Sequence, residues 1–268
     1  MKGSLDSAFS KLERARSHLA TIENLVPSFD DTPFEHHRIV RAEMENEGCT
    51  YRFYIGELAP LNPNLTFHAG ECLFNARCAL DHLVYQLHYG HFRGSFPDQS
   101  RRDSAFPIQL RKPSDAPHKW RGIKALSRRD RQAIAWLQPH MARHDKLQGV
   151  RYQLGVLERL HVIDKHRELH IARQVATATL LTRFPNEYGF REEWVAGRTL
   201  ESNMNVLRWT FHAAPPPALV QAKVGAYTGV FSEVSIREGS EFFTLVPHLQ
   251  AITNRVEVVL ERFAHRFD

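Results

Sequence analysis

Residues 70–87, GECLFNARCALDHLVYQL, predict one long helix around which the rest of the chain is organised. On a helical wheel the apolar side chains form one arc, and four polar or reactive types lie roughly opposite. The apolar arc contains Leu73, Ala76, Leu80, Leu83, Val84 and Leu87, and the polar stripe contains Glu71, Asn75, Cys78 and His82. Arg77 and Asp81 lie between the two as an i, i+4 pair. The polar stripe predicts a solvent-exposed surface, a cleft or a contact with a second subunit.

Four further helices are predicted from apolar residues at helical spacing. They cover the stretch from Ser4 or Asp6 up to Pro27 and residues 127–137, 146–173 and 247–267. Ser127 is of the type that caps a helix N-terminus. These patterns predict a helical core of about residues 65–175, joined by the two terminal helices.

The remaining segments have β patterns. Residues 37–58 predict a β-hairpin that turns at Asn46-Glu-Gly48, and residues 174–246 predict an additional antiparallel region. Helices and strands are grouped rather than alternating, which favours an α+β fold over βαβ winding. At 268 residues, the chain is predicted to form a single α+β domain, residues 1–268.

Composition narrows the class of protein. A formal net charge of +5 permits an acidic partner such as RNA without requiring one. Three cysteines without a CxxC pair indicate a reducing compartment. The first residues contain no continuous apolar run and no segment is long enough to span a bilayer, so we expect a cytoplasmic protein without a membrane partner. No GxGxxG, P-loop or GxSxG sequence occurs, and no cofactor is expected.

The spacing Arg77-x4-His82 resembles the R-x4-6-H motif of the HEPN superfamily of helical nucleotide-binding and ribonuclease domains. The resemblance implies a metal-independent endoribonuclease, usually a homodimer whose motif helices meet. His82 would act as general base or acid on a ribose 2′-hydroxyl and Arg77 would hold the scissile phosphate. The landmarks LDHL, FPI, LQP and DKHR, in this order, also resemble uncharacterised bacterial and phage proteins.

A second group of polar residues follows the apolar stripe of the helix predicted over residues 146–173. His161 and Asp164 continue that stripe. This predicts either a structural feature, namely an interior pair or a helix that ends near Ile163, or a pocket completed against the stripe of His82. In the second case Asp81, His161 and Asp164 assist Arg77 and His82 in catalysis. The substrate would be bound by Glu71, Asn75, Lys165, His166 and Arg167.

Two alternatives to a ribonuclease stay open. One is a non-catalytic binding or assembly protein in which the polar groups form buried networks. The other is a metal-dependent hydrolase, with His166 and His170 on one helical face and Glu71 or Asp81 as third ligand; because HRELH lacks the second-position Glu of HExxH, no metal is expected. A basic stretch from Arg101 to Arg129 suits either an RNA backbone or a solvated loop.

Overall fold

The computed structural model describes most of the chain. The described residues are 3–26, 35–93, 104–110, 117–141, 148–177, 184–194, 199–225, 230–238 and 241–267. Within them the fold contains six α-helices and two antiparallel sheets, which confirms the predicted α+β class. Parts of the basic stretch from Arg101 to Arg129 lie outside the described residues.

The elements follow the predicted order with one exception: residues 217–225, inside the region predicted as β, form a helix, and Pro217 at its first position favours a helix start. The helices are α1 (Asp6–Leu25), α2 (Asn64–His91), α3 (Arg128–Trp136), α4 (Gln148–His166), α5 (Pro217–Gly225) and α6 (Leu245–Ala264). The strands are β1 (Glu35–His37), β2 (Ile39–Glu45), β3 (Thr50–Ile55), β4 (His170–Thr177), β5 (Arg191–Trp194), β6 (Asn205–Thr210), β7 (Val230–Glu238) and β8 (Glu241–Thr244).

The chain divides into two compact units. The helical unit consists of Met1–Asn24, Pro63–Leu169 and Leu245–Asp268. The sheet unit consists of Leu25–Asn62 and His170–Thr244. Among the described elements, the sheet unit contains all the strands and the helix α5, and the other α-helices belong to the helical unit. A single domain over the whole chain stays a prediction.

In the helical unit, α2 packs against α4 and α6, and α4 packs against α6. The predicted apolar arc of α2 supplies much of this core: Leu73, Leu80 and Leu83 are fully buried. Burying each leucine stabilises the fold by about 1.5–3 kcal/mol relative to leaving it in water. The helical wheel thus predicts correctly which face of α2 is inside.

Helix boundaries follow capping and strand pairing. Ser127 caps α3 as predicted, because its hydroxyl oxygen accepts a hydrogen bond from the Asp130 amide at 3.1 Å. The helix predicted over residues 146–173 is shorter, since α4 ends at His166. From His170 the chain pairs with β7, and this pairing overrides the helical pattern.

The sheet unit contains both sheets. One has the strand order β2-β3-β6-β5; in the other, β7 pairs with β4, β1 and β8. The predicted hairpin is present as β2 and β3, which pair antiparallel. The apolar side chains of the first sheet enclose an aromatic core in which the Phe53 and Trp209 ring centres lie 4.5 Å apart.

The hairpin turn depends on Gly48. Asn46, Glu47 and Gly48 all have positive φ, and the φ of Gly48 is 89°. Residues other than glycine rarely adopt this backbone conformation, because their Cβ atom crowds the backbone.

None of the helices in the described ranges combines the length and the apolarity that a bilayer crossing requires.

We expect Gly48→Ala to destabilise the sheet unit by roughly 1 kcal/mol, because alanine is strained at this φ. Urea unfolding followed by tryptophan fluorescence measures the change. Gly90→Ala is the matched control, because Gly90 lies in α2 without a positive φ and a Cβ there meets only the Gly3 amide nitrogen at 3.9 Å. Equal effects of the two substitutions would contradict the role given to Gly48.

Candidate functional site

The polar residues of α2 fall on two neighbouring sides of the helix. Arg77 and Asp81 belong to the side that meets α4, where Arg77 approaches Glu158. His82 and Glu71 belong to the side that meets α1, where Glu71 approaches His18. The structure therefore places Arg77 and His82 on different sides of α2, and Asp81 contributes to both sides.

Arg77 makes one hydrogen bond and two ion pairs. Its Nη2 donates a hydrogen bond to the carbonyl oxygen of Phe106 at 2.6 Å and lies 3.2 Å from Asp81 Oδ1. Its Nη1 lies 3.8 Å from Glu158 Oε2, and the side chains of Arg77 and Glu158 are each only 13% exposed. Nη1 is buried and has no hydrogen-bond partner among the described residues, so its interaction with Glu158 is an ion pair only.

Asp81 completes a clamp on the same backbone segment. Its Oδ1 accepts a hydrogen bond from the Phe106 amide at 2.8 Å, while Arg77 holds the Phe106 carbonyl. We call these three residues the Phe106 clamp. Burial raises the pKa of Asp81, and the charge of Arg77 and the Phe106 amide act in the opposite direction. The clamp satisfies both polar backbone groups of a buried residue.

Gln138 anchors the residues that follow Phe106. Its Nε2 donates to the Pro107 carbonyl at 2.8 Å, and its Oε1 accepts from the Gln109 amide at 2.9 Å. Gln138 is fully buried. The FPI and LQP landmarks therefore meet in space, a contact that the sequence analysis missed. A glutamine at the end of a predicted helix and next to proline was the only local signal.

His82 lines a pocket of about 390 Å³. The lining comes from α1, α2 and residue 104, with none from α4: Ser7, Asp81, His82, Tyr85, Gln86 and Ser104. Burial, and then the charge of Lys11, lower the pKa of His82, while Asp81 opposes them. The imidazole is thus held in its neutral form at neutral pH, as a general base requires.

His161 and Asp164 lie along α4 rather than in the His82 pocket. The His161 ring stacks near Phe74, with ring centres 6.4 Å apart, and burial followed by the charge of Arg77 lowers its pKa. Asp164 packs over Gly70, where a Cβ atom would overlap its carboxylate. Burial and then the charge of Glu71 raise the pKa of Asp164.

The residues predicted to bind substrate lie in two other places. Asn75 is buried, and its Nδ2 donates to the carbonyl oxygen of Glu71 at 2.8 Å. Lys165, His166 and Arg167 are exposed at the C-terminal end of α4. None of these five lines the His82 pocket.

The helical argument for a metal at His166 and His170 is wrong, because α4 ends at the first and β4 begins at the second. In the part of the chain that the structure describes, no three His, Cys, Asp or Glu side chains form a group that could hold a metal ion.

Comparison of the chain with protein-family models, with curated proteins and with solved structures found no match.

We expect Arg77→Ala to lower the free energy of unfolding by about 3 kcal/mol, because it leaves Asp81 and Glu158 without their shared cation. Chemical denaturation of the folded chain measures the loss. Arg16→Ala is the control: Arg16 pairs with Glu257 at 2.6 Å, but both side chains are about one-third exposed, and we expect a loss of at most about 1 kcal/mol. Similar losses would show that the clamp adds nothing to an ordinary surface pair.

The lowered pKa of His161 predicts loss of stability in acid. Its folded pKa lies below the ordinary value of 6.5, so folding favours the neutral ring. This contribution is fully present above pH 6.5 and is lost as the pH falls through the folded pKa. We expect His161→Gln to reduce the fall in Tm between pH 7 and pH 5, measured by thermal melts. His265→Gln, at an exposed site in the helical unit, is the control and should leave the fall unchanged.

Proposed function

We propose that the protein is a cytoplasmic, metal-independent endoribonuclease in which His82 is the general base. The observation that carries the proposal is an imidazole with a lowered pKa, exposed to a pocket of about 390 Å³ beside Asp81. The spacing Arg77-x4-His82 gave the same chemistry by resemblance to HEPN domains. A homodimer is part of the proposal, because the motif helices of that superfamily usually meet between subunits.

In this mechanism His82 removes the proton from a ribose 2′-hydroxyl. The freed oxygen attacks the adjacent phosphorus, a bond from phosphorus to O2′ forms and the bond to the 5′ oxygen breaks. The leaving oxygen takes a proton from water, and the hydroxide that forms takes the proton held by His82, which returns to its neutral form. The products carry a 2′,3′-cyclic phosphate and a 5′-hydroxyl. Tyr85, Ser7 and Ser104 supply hydroxyl groups along the pocket for the ribose and phosphate.

Arg77 has a different role here from the one the resemblance implies. Its guanidinium is engaged by Phe106, Asp81 and Glu158, so it positions the clamped segment and Asp81 rather than the phosphate. Lys11 is the cation whose charge helps to lower the pKa of His82. We assign Lys11 to the phosphate of the bound RNA.

A second candidate is a non-catalytic binding or assembly protein. The engagement of Arg77 favours it, because an arginine whose donors are directed to protein oxygens serves structure first. In that case the polar groups of α2 fix the arrangement of the helices, and His82 contributes only to packing.

RNA cleavage in EDTA separates the two candidates. We expect wild-type protein to cleave an unmodified RNA and to leave a fully 2′-O-methylated RNA intact, because the methyl group blocks the nucleophile. His82→Ala should reduce the cleavage rate by roughly 10²–10⁴-fold while the circular dichroism spectrum stays unchanged. His265→Ala, which removes an exposed imidazole elsewhere in the helical unit, should cleave normally.

Cleavage by His82→Ala at the wild-type rate would exclude the ribonuclease mechanism. A wild-type protein that binds RNA without cleaving it, together with a lower Tm for His82→Ala, would support the second candidate. Sedimentation equilibrium tests the homodimer separately.

A further inference from the structure

Two histidines from different helices meet at a point that the proposed mechanism does not use. His18 belongs to α1 and His68 to α2, and their Nδ1 atoms lie 3.1 Å apart. The His18 side chain is 27% exposed, so ions and water reach it. Neither histidine lines the His82 pocket.

We propose that His18 and His68 bind one divalent late transition-metal ion through their Nδ1 atoms, with water completing the coordination. Imidazole nitrogens bind such ions at about 2.0–2.1 Å. Two nitrogens 3.1 Å apart then subtend roughly 100° at the metal, between the right angle of square-planar sites and the tetrahedral angle. The ring positions therefore fit adjacent ligands of a single ion.

Glu71 supports the required tautomer of His18. Its Oε2 lies 4.0 Å from His18 Nε2, on the side of the ring away from His68. A carboxylate facing Nε2 favours the proton on that nitrogen and leaves the Nδ1 lone pair for the metal. Asn75 Nδ2 donates to the same Oε2 at 3.3 Å and so helps to fix the carboxylate.

A neighbouring aromatic ring also holds the two imidazoles in place. The exposed Phe67 packs edge-on against both imidazoles and restricts their rotation.

The competing interpretation is a hydrogen bond between the two rings. It requires one Nδ1 to carry a proton and the other to accept it, whereas the metal site requires both Nδ1 atoms to be deprotonated. The metal site would join α1 to α2 in the helical unit. The proposed metal site is independent of the proposed ribonuclease function, because the cleavage assay contains EDTA, which removes metal ions.

Binding of Cu²⁺ to protein without a histidine tag tests the proposal, because Cu²⁺ has the highest affinity among these ions. With one equivalent of Cu²⁺, we expect the electron paramagnetic resonance spectrum of the wild type to show nitrogen ligands. His18→Ala and His68→Ala should each weaken this binding at least tenfold. Glu71→Gln should weaken it by about tenfold through the lost outer-shell carboxylate.

The chain has sixteen histidines, so background binding must be controlled. His265→Ala removes one exposed imidazole elsewhere in the helical unit and should keep the wild-type affinity. A wild-type spectrum and affinity in both His18→Ala and His68→Ala would overturn the proposal.

A measurement on the wild type covers the case in which these variants fail to fold. Diethyl pyrocarbonate modifies accessible imidazoles, and mass spectrometry locates the modified residues. We expect one equivalent of Cu²⁺ to protect His18 and His68 and to leave His265 reactive. Unchanged modification of His18 and His68 would overturn the proposal equally.

Discussion

A guanidinium that is withdrawn from water needs oxygen partners, and Arg77 has one hydrogen-bond acceptor and two ion-pair partners from three different parts of the helical unit. Asp81 lies one turn along α2, Glu158 comes from α4 and the carbonyl of Phe106 comes from the segment between α2 and α3. Removing any one acceptor leaves buried charge poorly compensated, which is costly at low dielectric. The packing of α2 against α4 and the position of Phe106 thus depend on one side chain.

Local patterns predict the elements of this protein well. The buried arc of α2, the Ser127 cap and the glycine turn at Gly48 each depend on residues close in sequence, and the structure contains all three. The helical pattern extends to residue 173, whereas α4 ends at His166. The pairing of His170 with Arg237 on β7 is a long-range interaction that helical periodicity cannot anticipate.

The candidate site is harder to predict for the same reason. The sequence shows Arg77 and Asp81 as an i, i+4 pair, but their common partner Phe106 lies in a distant loop. A helical wheel also does not say which neighbour each face meets. The helical pattern of residues 146–173 favours His161 near His82, whereas the pKa of His161 is influenced by Arg77 and that of His82 by Lys11. Gln138 and the His18–His68 pair form through tertiary contacts alone.

The anchoring of Phe106 and Pro107 also affects the entropic cost of closing the connection between α2 and α3. By fixing its middle to α2 and to Gln138, the protein divides one long connection into two shorter closures. The entropic cost of closing each loop grows only with the logarithm of that loop's length. Insertions on one side of the anchor should therefore cost little and leave the other side unaffected. Length variation in this connection is compatible with an unchanged helical core.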